Sequence, residues 1–221
     1  MKDDFPRAVI FDWDNTLVDS WGAIGGAMNH VRQSFGEPTW SPDQIKQNCV
    51  RSAREIFPEW YGERWKQAND LFYSRFTEIR RTAPLQILPG SQDTLDLLKA
   101  QHIPMFIVSN RHGPQLRQEV ANLGWHEYFQ GVVGAQDAKA DKPSRAPVDL
   151  ALSHGDLTAG SDIWFVGDSE VDVVCATNAG CTAVYVGNME NATRLSVARV
   201  FAGCHQLHAW LYGCSNKALK K

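Results

Sequence analysis

Five short apolar runs constrain this chain more than any other feature. They are Ala8-Val9-Ile10-Phe11, Met105-Phe106-Ile107-Val108, Gly131-Val132-Val133-Gly134, Ile163-Trp164-Phe165-Val166 and Thr182-Ala183-Val184-Tyr185-Val186. Each is continuous rather than alternating, and most are rich in β-branched or aromatic residues. That pattern belongs to strands buried on both faces, as in a parallel sheet.

Parallel strands need crossover connections, and helical stretches lie between the later runs. Ser91 to about Gln101 carries Leu95, Leu97 and Leu98 on a helical face. Pro114 to Leu123 has proline in its first turn and stops at Gly124. Pro147 to His154 closes at Gly155, and Val171 to Ala179 closes at Gly180. Alternating strands and helices predict an α/β fold: a doubly wound, Rossmann-like parallel sheet with helices on both faces. The segment from Leu17 to Pro84 breaks the rhythm with no convincing strand. A helix is expected from about Asp19 to Phe35, and another starts at Ser41-Pro42. Trp65, Ala68, Phe72, Phe76 and Ile79 then recur at helical spacing. The expected organisation is a core of residues 1–16 and 85–221, with a helical insertion over 17–84. Lys217 to Lys221 reads as a solvated tail.

Charge and cysteine use exclude several classes. Lys and Arg total 22 against 25 Asp and Glu, a net charge of -3. No large basic surface for nucleic acid follows from that balance. No run reaches the roughly 18 apolar residues of a membrane helix, and no apolar signal-peptide core opens the chain. The five cysteines are odd in number and form no C-x-x-C pair. A reducing, cytoplasmic setting fits them better than a disulfide framework or zinc site.

Three of the runs end in a polar residue: Asp12, Ser109, and Asp168 after Gly167. The carboxyl ends of parallel strands open into the crevice where doubly wound folds bind ligands. Asp12 and Asp14, two residues apart after an apolar strand, are costly unless positive charge balances them. A hard divalent cation with oxygen ligands would do so; Asp168 offers a third carboxylate and Asp172 a fourth or a supporting one. Solvated aspartates in a turn are the alternative for Asp12 alone, but four carboxylates at two strand ends fit a metal site better.

The segment Phe11-Asp12-Trp13-Asp14-Asn15-Thr16-Leu17-Val18-Asp19-Ser20 resembles the first motif of the haloacid dehalogenase-like hydrolases, most of all their phosphoglycolate phosphatase-like branch. Val108-Ser109-Asn110 resembles the second motif. Lys142-Pro143, with Pro147 and Ala151-Leu152, resembles the third. Gly167-Asp168-Ser169-Glu170-Val171-Asp172, with Asn178-Ala179-Gly180, resembles the fourth. The four stand in order over nearly the whole chain.

The resemblance implies a phosphatase acting on a small phosphorylated metabolite, with Mg2+ as cofactor. By it, Asp12 is the nucleophile that becomes an aspartyl-phosphate, and Asp14 the general acid and base. Thr16, Ser109, Asn110 and Lys142 bind the phosphoryl group. Asp12, Asp168 and the backbone of Asp14 hold the metal, with Asp172 in support. Arg111 is a candidate substrate contact at the cleft mouth, beside His112. Residue types alone leave alternatives: Ser109 as a cap of the next helix, Lys139 in place of Lys142, and Asp172 as a helix N-terminal carboxylate. The helical insertion becomes a cap over the substrate, with Trp21, Trp40, Trp60 and Trp65 as core or cleft residues. Arg51, Arg54, Arg64 and Arg75 become candidates for an acidic substrate tail.

Two features depart from the family pattern. Asn15 replaces the usual glycine and is expected to keep its positive φ. Trp13 replaces a common leucine and is expected to fill the core. A sugar-phosphate mutase using the same residues is the main competing activity, and a catalytically dead binding protein is a third. A dehalogenase or phosphonatase is disfavoured by the presence of Asp14.

Overall fold

A computed structural model describes residues 5–49 and 51–218. In chain order the elements are β1 (Ala8–Phe11), β2 (Val18–Asp19), α1 (Trp21–Ser34), α2 (Pro42–Asn48), α3 (Ala53–Tyr61), α4 (Trp65–Thr82) and β3 (Gln86–Ile87). They continue with α5 (Ser91–Ala100), β4 (Met105–His112), α6 (Gly113–Asn122), β5 (Phe129–Ala135), α7 (Ala146–Ser153) and β6 (Ile163–Gly167). The last are α8 (Glu170–Ala179), β7 (Thr182–Val186), α9 (Met189–Ala192), β8 (Arg199–Phe201) and α10 (Cys204–Ala218). The chain forms two compact units, residues 1–18 with 87–221, and residues 19–86. Residues 219–221 of the expected tail lie outside the described residues, while 217 and 218 continue α10.

The larger unit is built on a six-stranded parallel sheet in the order β5-β4-β1-β6-β7-β8. The five apolar runs are five of these strands, so the α/β doubly wound reading holds. The sixth, β8, is only three residues long and carries no apolar run. The sheet is closed off on both faces. Ala8, Ile10, Phe106, Val108 and Phe165 pack with Val148 and Leu152 of α7 and with Val173 and Ala176 of α8. Strand alternation turns Trp164 the other way, where its ring meets Trp210 of α10 at 5.7 Å.

The sheet order places the site. Successive strands run outward from β1 toward β5 on one side and from β6 toward β8 on the other. Neighbouring strands whose connections diverge leave a crevice at their carboxyl ends. Phe11 stands opposite Val166 and Ile107 in the ladders. The residues just beyond those positions, Asp12, Asp168 and Ser109, therefore emerge along one edge.

The smaller unit is helical between the two-residue strands β2 and β3. Met28, Val31, Ile45, Ile56, Phe57 and Ala68 form its core. Trp21, Trp40, Trp60 and Trp65 all pack against that core, half-buried. At Gly26 an added Cβ would lie 2.8 Å from Ile79 Cδ1, so this glycine in α1 permits close approach of α4. Arg80 at the end of α4 donates to Ser20 Oγ at 2.5 Å and to the Asp19 carbonyl at 3.2 Å. Ser41 caps α2 in a capping box with Gln44. Three of the four candidate arginines pair inside this unit: Arg51 with Glu59, Arg75 with Glu78, and Arg64 with Gln67. Arg54 is half-buried.

Gly90 opens α5 at φ +80°, and an added Cβ would stand 2.3 Å from the backbone Cα of His205 in α10. Backbone cannot yield as a side-chain tip can. Gly90→Ala is expected to lower stability by about 1–3 kcal/mol or more, read from urea unfolding; an unchanged midpoint contradicts this packing.

Candidate active site

Asp12 follows β1 directly, and its backbone N–H still donates to the Val166 carbonyl of β6 at 2.9 Å. Its side chain is thus fixed at the rim of the sheet. Asn15 then turns the chain at φ 62°, as expected of a residue that tolerates the left-handed region. Asp14 emerges beside that turn. On β6, Gly167 is followed by Asp168, and an added Cβ on Gly167 would collide with Asp172 at 2.4 Å. Glycine there lets the Asp172 carboxylate, in the first turn of α8, lie against the strand.

Asp12, Asp168 and Asp172 each present an oxygen, and these lie within 4.8 Å of one another. The Lys142 ammonium stands among them and donates to Asp12 Oδ1 and to Asp172 Oδ1, each at 2.6 Å. Asp172 also accepts from the N–H and hydroxyl of Ser169 at 3.1 and 2.6 Å. Lys139, by contrast, is exposed. Geometry therefore brings Lys142 and not Lys139 to the carboxylates.

Burial raises the Asp12 carboxyl to about 7; Lys142 opposes the shift, while Asp172 and Asp14 add to it. Asp168 is pushed well above the ordinary carboxylate range by burial, then by Asp172 and Asp12. Burial works against the Lys142 ammonium, but Asp12 and Asp172 overcome it and hold the amine above the ordinary lysine range. When all three are ionised, these carboxylates exceed the one ammonium by two negative charges in a buried place. A divalent cation on oxygen ligands fits that deficit in charge and in donor type.

Ser109 is buried on β4, and its Oγ accepts from the Arg111 N–H at 3.3 Å. It does not cap a helix: β4 continues to His112 and α6 starts at Gly113. Two of the expected phosphate ligands also make contacts within the protein. The Asn110 side chain is turned to the main chain of Lys142, accepting its N–H at 2.9 Å and donating to its carbonyl at 3.1 Å. It thereby holds the lysine's main chain. The Thr16 hydroxyl donates to Asp168 Oδ1 at 3.4 Å. The spacing in sequence carries no trace of either contact.

Arg111, the candidate substrate contact, is buried. It is 6% exposed, and its guanidinium lies against both oxygens of Asp14, with Nε at 3.0 Å from Oδ2. Its Nη1 reaches Glu119 Oε1 at 3.4 Å. Glu119 Oε2 accepts the indole N–H of Trp13 at 2.8 Å. Trp13 is fully enclosed, with its ring edge-on to Trp125 at 5.8 Å, and fills the core as expected. Glu119 had no motif to mark it; a lone acidic residue on the apolar side of a predicted helix was the only signal.

The fold is of the doubly wound α/β class, with a buried carboxylate at the end of its first strand. The haloacid dehalogenase-like hydrolase family model matches residues 9–186. The chain belongs to that family. It is 33% identical over 187 residues to a phosphoglycolate phosphatase of Photorhabdus laumondii, covering 80% of this chain and 79% of that protein. It is 32% identical over 193 residues to a phosphoglycolate phosphatase of Chromobacterium violaceum, covering 82% and 85%. Among solved structures it resembles a haloacid dehalogenase-superfamily hydrolase from Ehrlichia chaffeensis, at TM-score 0.67 and 28% identity, covering 96% and 98%. A haloacid dehalogenase-like hydrolase from Bacteroides fragilis shares the fold at TM-score 0.82 and 22% identity, covering 91% and 99%.

Because Asp12 takes up a proton near neutrality, protons compete with a cation for the cluster. Mg2+ should bind about tenfold more weakly at pH 6 than at pH 8, with proton release on binding. Calorimetric titration in two buffers of different ionisation heat checks this; an affinity independent of pH over that range contradicts it.

Proposed function

We propose that the protein is a magnesium-dependent phosphatase that hydrolyses a small phosphomonoester through Asp12, with phosphoglycolate as the leading substrate. The observation that carries the reading is the buried Asp12 carboxylate at the end of β1, held by Lys142 at 2.6 Å among the carboxylates of Asp168 and Asp172. The substrate class is supported by relatives that bear the name phosphoglycolate phosphatase.

In this reading a carboxylate oxygen of Asp12 attacks phosphorus as the bond to the leaving oxygen breaks. Asp14 gives a proton to that oxygen. It then takes one from the water that splits the aspartyl-phosphate, and inorganic phosphate leaves. Ser109 and Lys142 hold the phosphoryl oxygens; the ammonium favours the ionised form of Asp12 and balances charge as the phosphoryl group transfers. Asn110 fixes the main chain from which Lys142 reaches. Asp12, Asp168 and the backbone carbonyl of Asp14 would hold Mg2+, with Asp172 in support; when bound, the ion supplies positive charge that lets an anionic nucleophile meet an anionic substrate. The core and cap roles of residues 1–16 with 85–221 and of 17–84 belong to the same reading, as does closure of the cap to exclude water. So does a cytoplasmic setting. No described helix is long and apolar enough to cross a membrane.

A panel of metabolite phosphates assayed for phosphate release, with Mg2+ and with chelator, tests the assignment. Phosphoglycolate should rank first and chelator should abolish release; silence across the panel with metal-loaded protein would sink it. Asp12→Asn is expected to bring turnover to background while the folded circular dichroism spectrum persists, and near-normal turnover would exclude Asp12 as nucleophile. Asp14→Asn should slow turnover by about 10²–10⁴-fold, the usual contribution of a general acid and base; a change under threefold would remove it from that role.

A further inference from the structure

Trp13, Glu119 and Arg111 form a line of buried side chains that ends on Asp14. Trp13 donates its indole N–H to Glu119 Oε2, and Glu119 Oε1 accepts from Arg111 Nη1. Arg111 then donates through Nε and Nη2 to the two oxygens of Asp14. The four residues come from the loop after β1, from β4 and from α6. The guanidinium is therefore braced from behind by an anchored carboxylate. Only its front edge meets Asp14, whose side chain keeps 19% of its surface exposed.

This pairing bears on what Asp14 has to do. A carboxylate whose two oxygens both accept from one guanidinium is oriented toward that guanidinium, not toward a leaving oxygen. Asp14 must part from Arg111 to act. Parting separates the buried front edge of Arg111 from the Asp14 carboxylate, which is unfavourable for a buried charge. A second anion in the same place would offset that cost.

We propose that an anionic group on the leaving portion of the substrate takes the place of Asp14 on Arg111 and so frees Asp14 to act on the leaving oxygen. No covalent bond changes in this exchange; one carboxylate replaces another on the same donors. Arg111 then selects phosphomonoesters that carry a second anion close to the scissile bond. It selects them by making the acid–base group available, more than by adding affinity. The inference rests on the phosphatase reading above and narrows its substrate class. It gives Arg111 the expected substrate contact, by a route that the sequence does not show.

The test compares 2-phosphoglycolate with 2-hydroxyethyl phosphate, which has an uncharged hydroxymethyl group in place of the carboxylate. In the wild-type enzyme with Mg2+, kcat should favour the carboxylate by about 10–100-fold, the range for a hydrogen bond to a charged group. In Arg111→Met the ratio of the two kcat values should fall to within about threefold. Equal kcat values in the wild type, a preference confined to KM, or a kcat preference that survives in Arg111→Met would each overturn the exchange. Arg111→Met leaves two buried carboxylates without this partner. If it fails to melt cooperatively, Arg111→Met with Glu119→Gln takes its place, and the wild-type kcat comparison decides alone if neither folds. Mg2+-dependent phosphate release from 2-hydroxyethyl phosphate reads the phosphatase assignment separately. Equal kcat on both substrates overturns only the exchange, whereas release from neither overturns the assignment and the exchange with it.

Discussion

The ammonium of Lys142, placed between the carboxylates of Asp12 and Asp172, is the contact on which the site depends. Burial raises the Asp12 carboxyl and works against the Lys142 ammonium, and each partner opposes that effect on the other. With its carboxylates ionised, the set carries an excess of negative charge suited to a divalent cation. That arrangement needs three chain segments far apart in sequence to meet at one sheet edge. The ladder register between β1 and β6 provides the meeting, and Asn110 provides the anchor for the lysine's main chain. The hydrophobic packing of the sheet thus serves the electrostatics directly: it holds oxygens at a fixed separation in a place where water cannot relax their repulsion.

Much of this was legible in the residues, and for a physical reason. A strand buried on both faces must be apolar throughout, so β1, β4, β5, β6 and β7 each leave a continuous run. The abrupt polar ends of three of them, at Asp12, Ser109 and Asp168, mark the rim. The limits are equally physical. Strand β8 is three residues long, and β2 and β3 are two each, too short for any period. Helix α3 is interrupted in sequence by Pro58, and α10 carries Leu207 and Leu211 beside His205 and His208, so proline and histidine obscure their apolar faces.

Side-chain partnerships were the least readable part. Asn110 sits in a recognisable motif, yet its amide binds the backbone of Lys142, 32 residues away. Thr16 points to Asp168, 152 residues on. Trp13 stood out only as a bulky replacement. Its connection through Glu119 and Arg111 to Asp14 spans more than one hundred residues and leaves no pattern in the chain. Local spacing reports which face of an element a residue occupies; it says nothing of which distant hydrogen-bond donor that residue will meet.

The central claim is that Asp12, whose ionised form Lys142 favours, carries the phosphoryl group. Acid-quenched single turnover of the metal-loaded enzyme, followed by peptide mass spectrometry, addresses it most directly. A phosphoryl mass on the peptide that begins at Ala8, lost with hydroxylamine and formed before phosphate appears, is the expected result. Phosphate that appears with no covalent precursor, or a phosphoryl group on a peptide lacking Asp12, would contradict it.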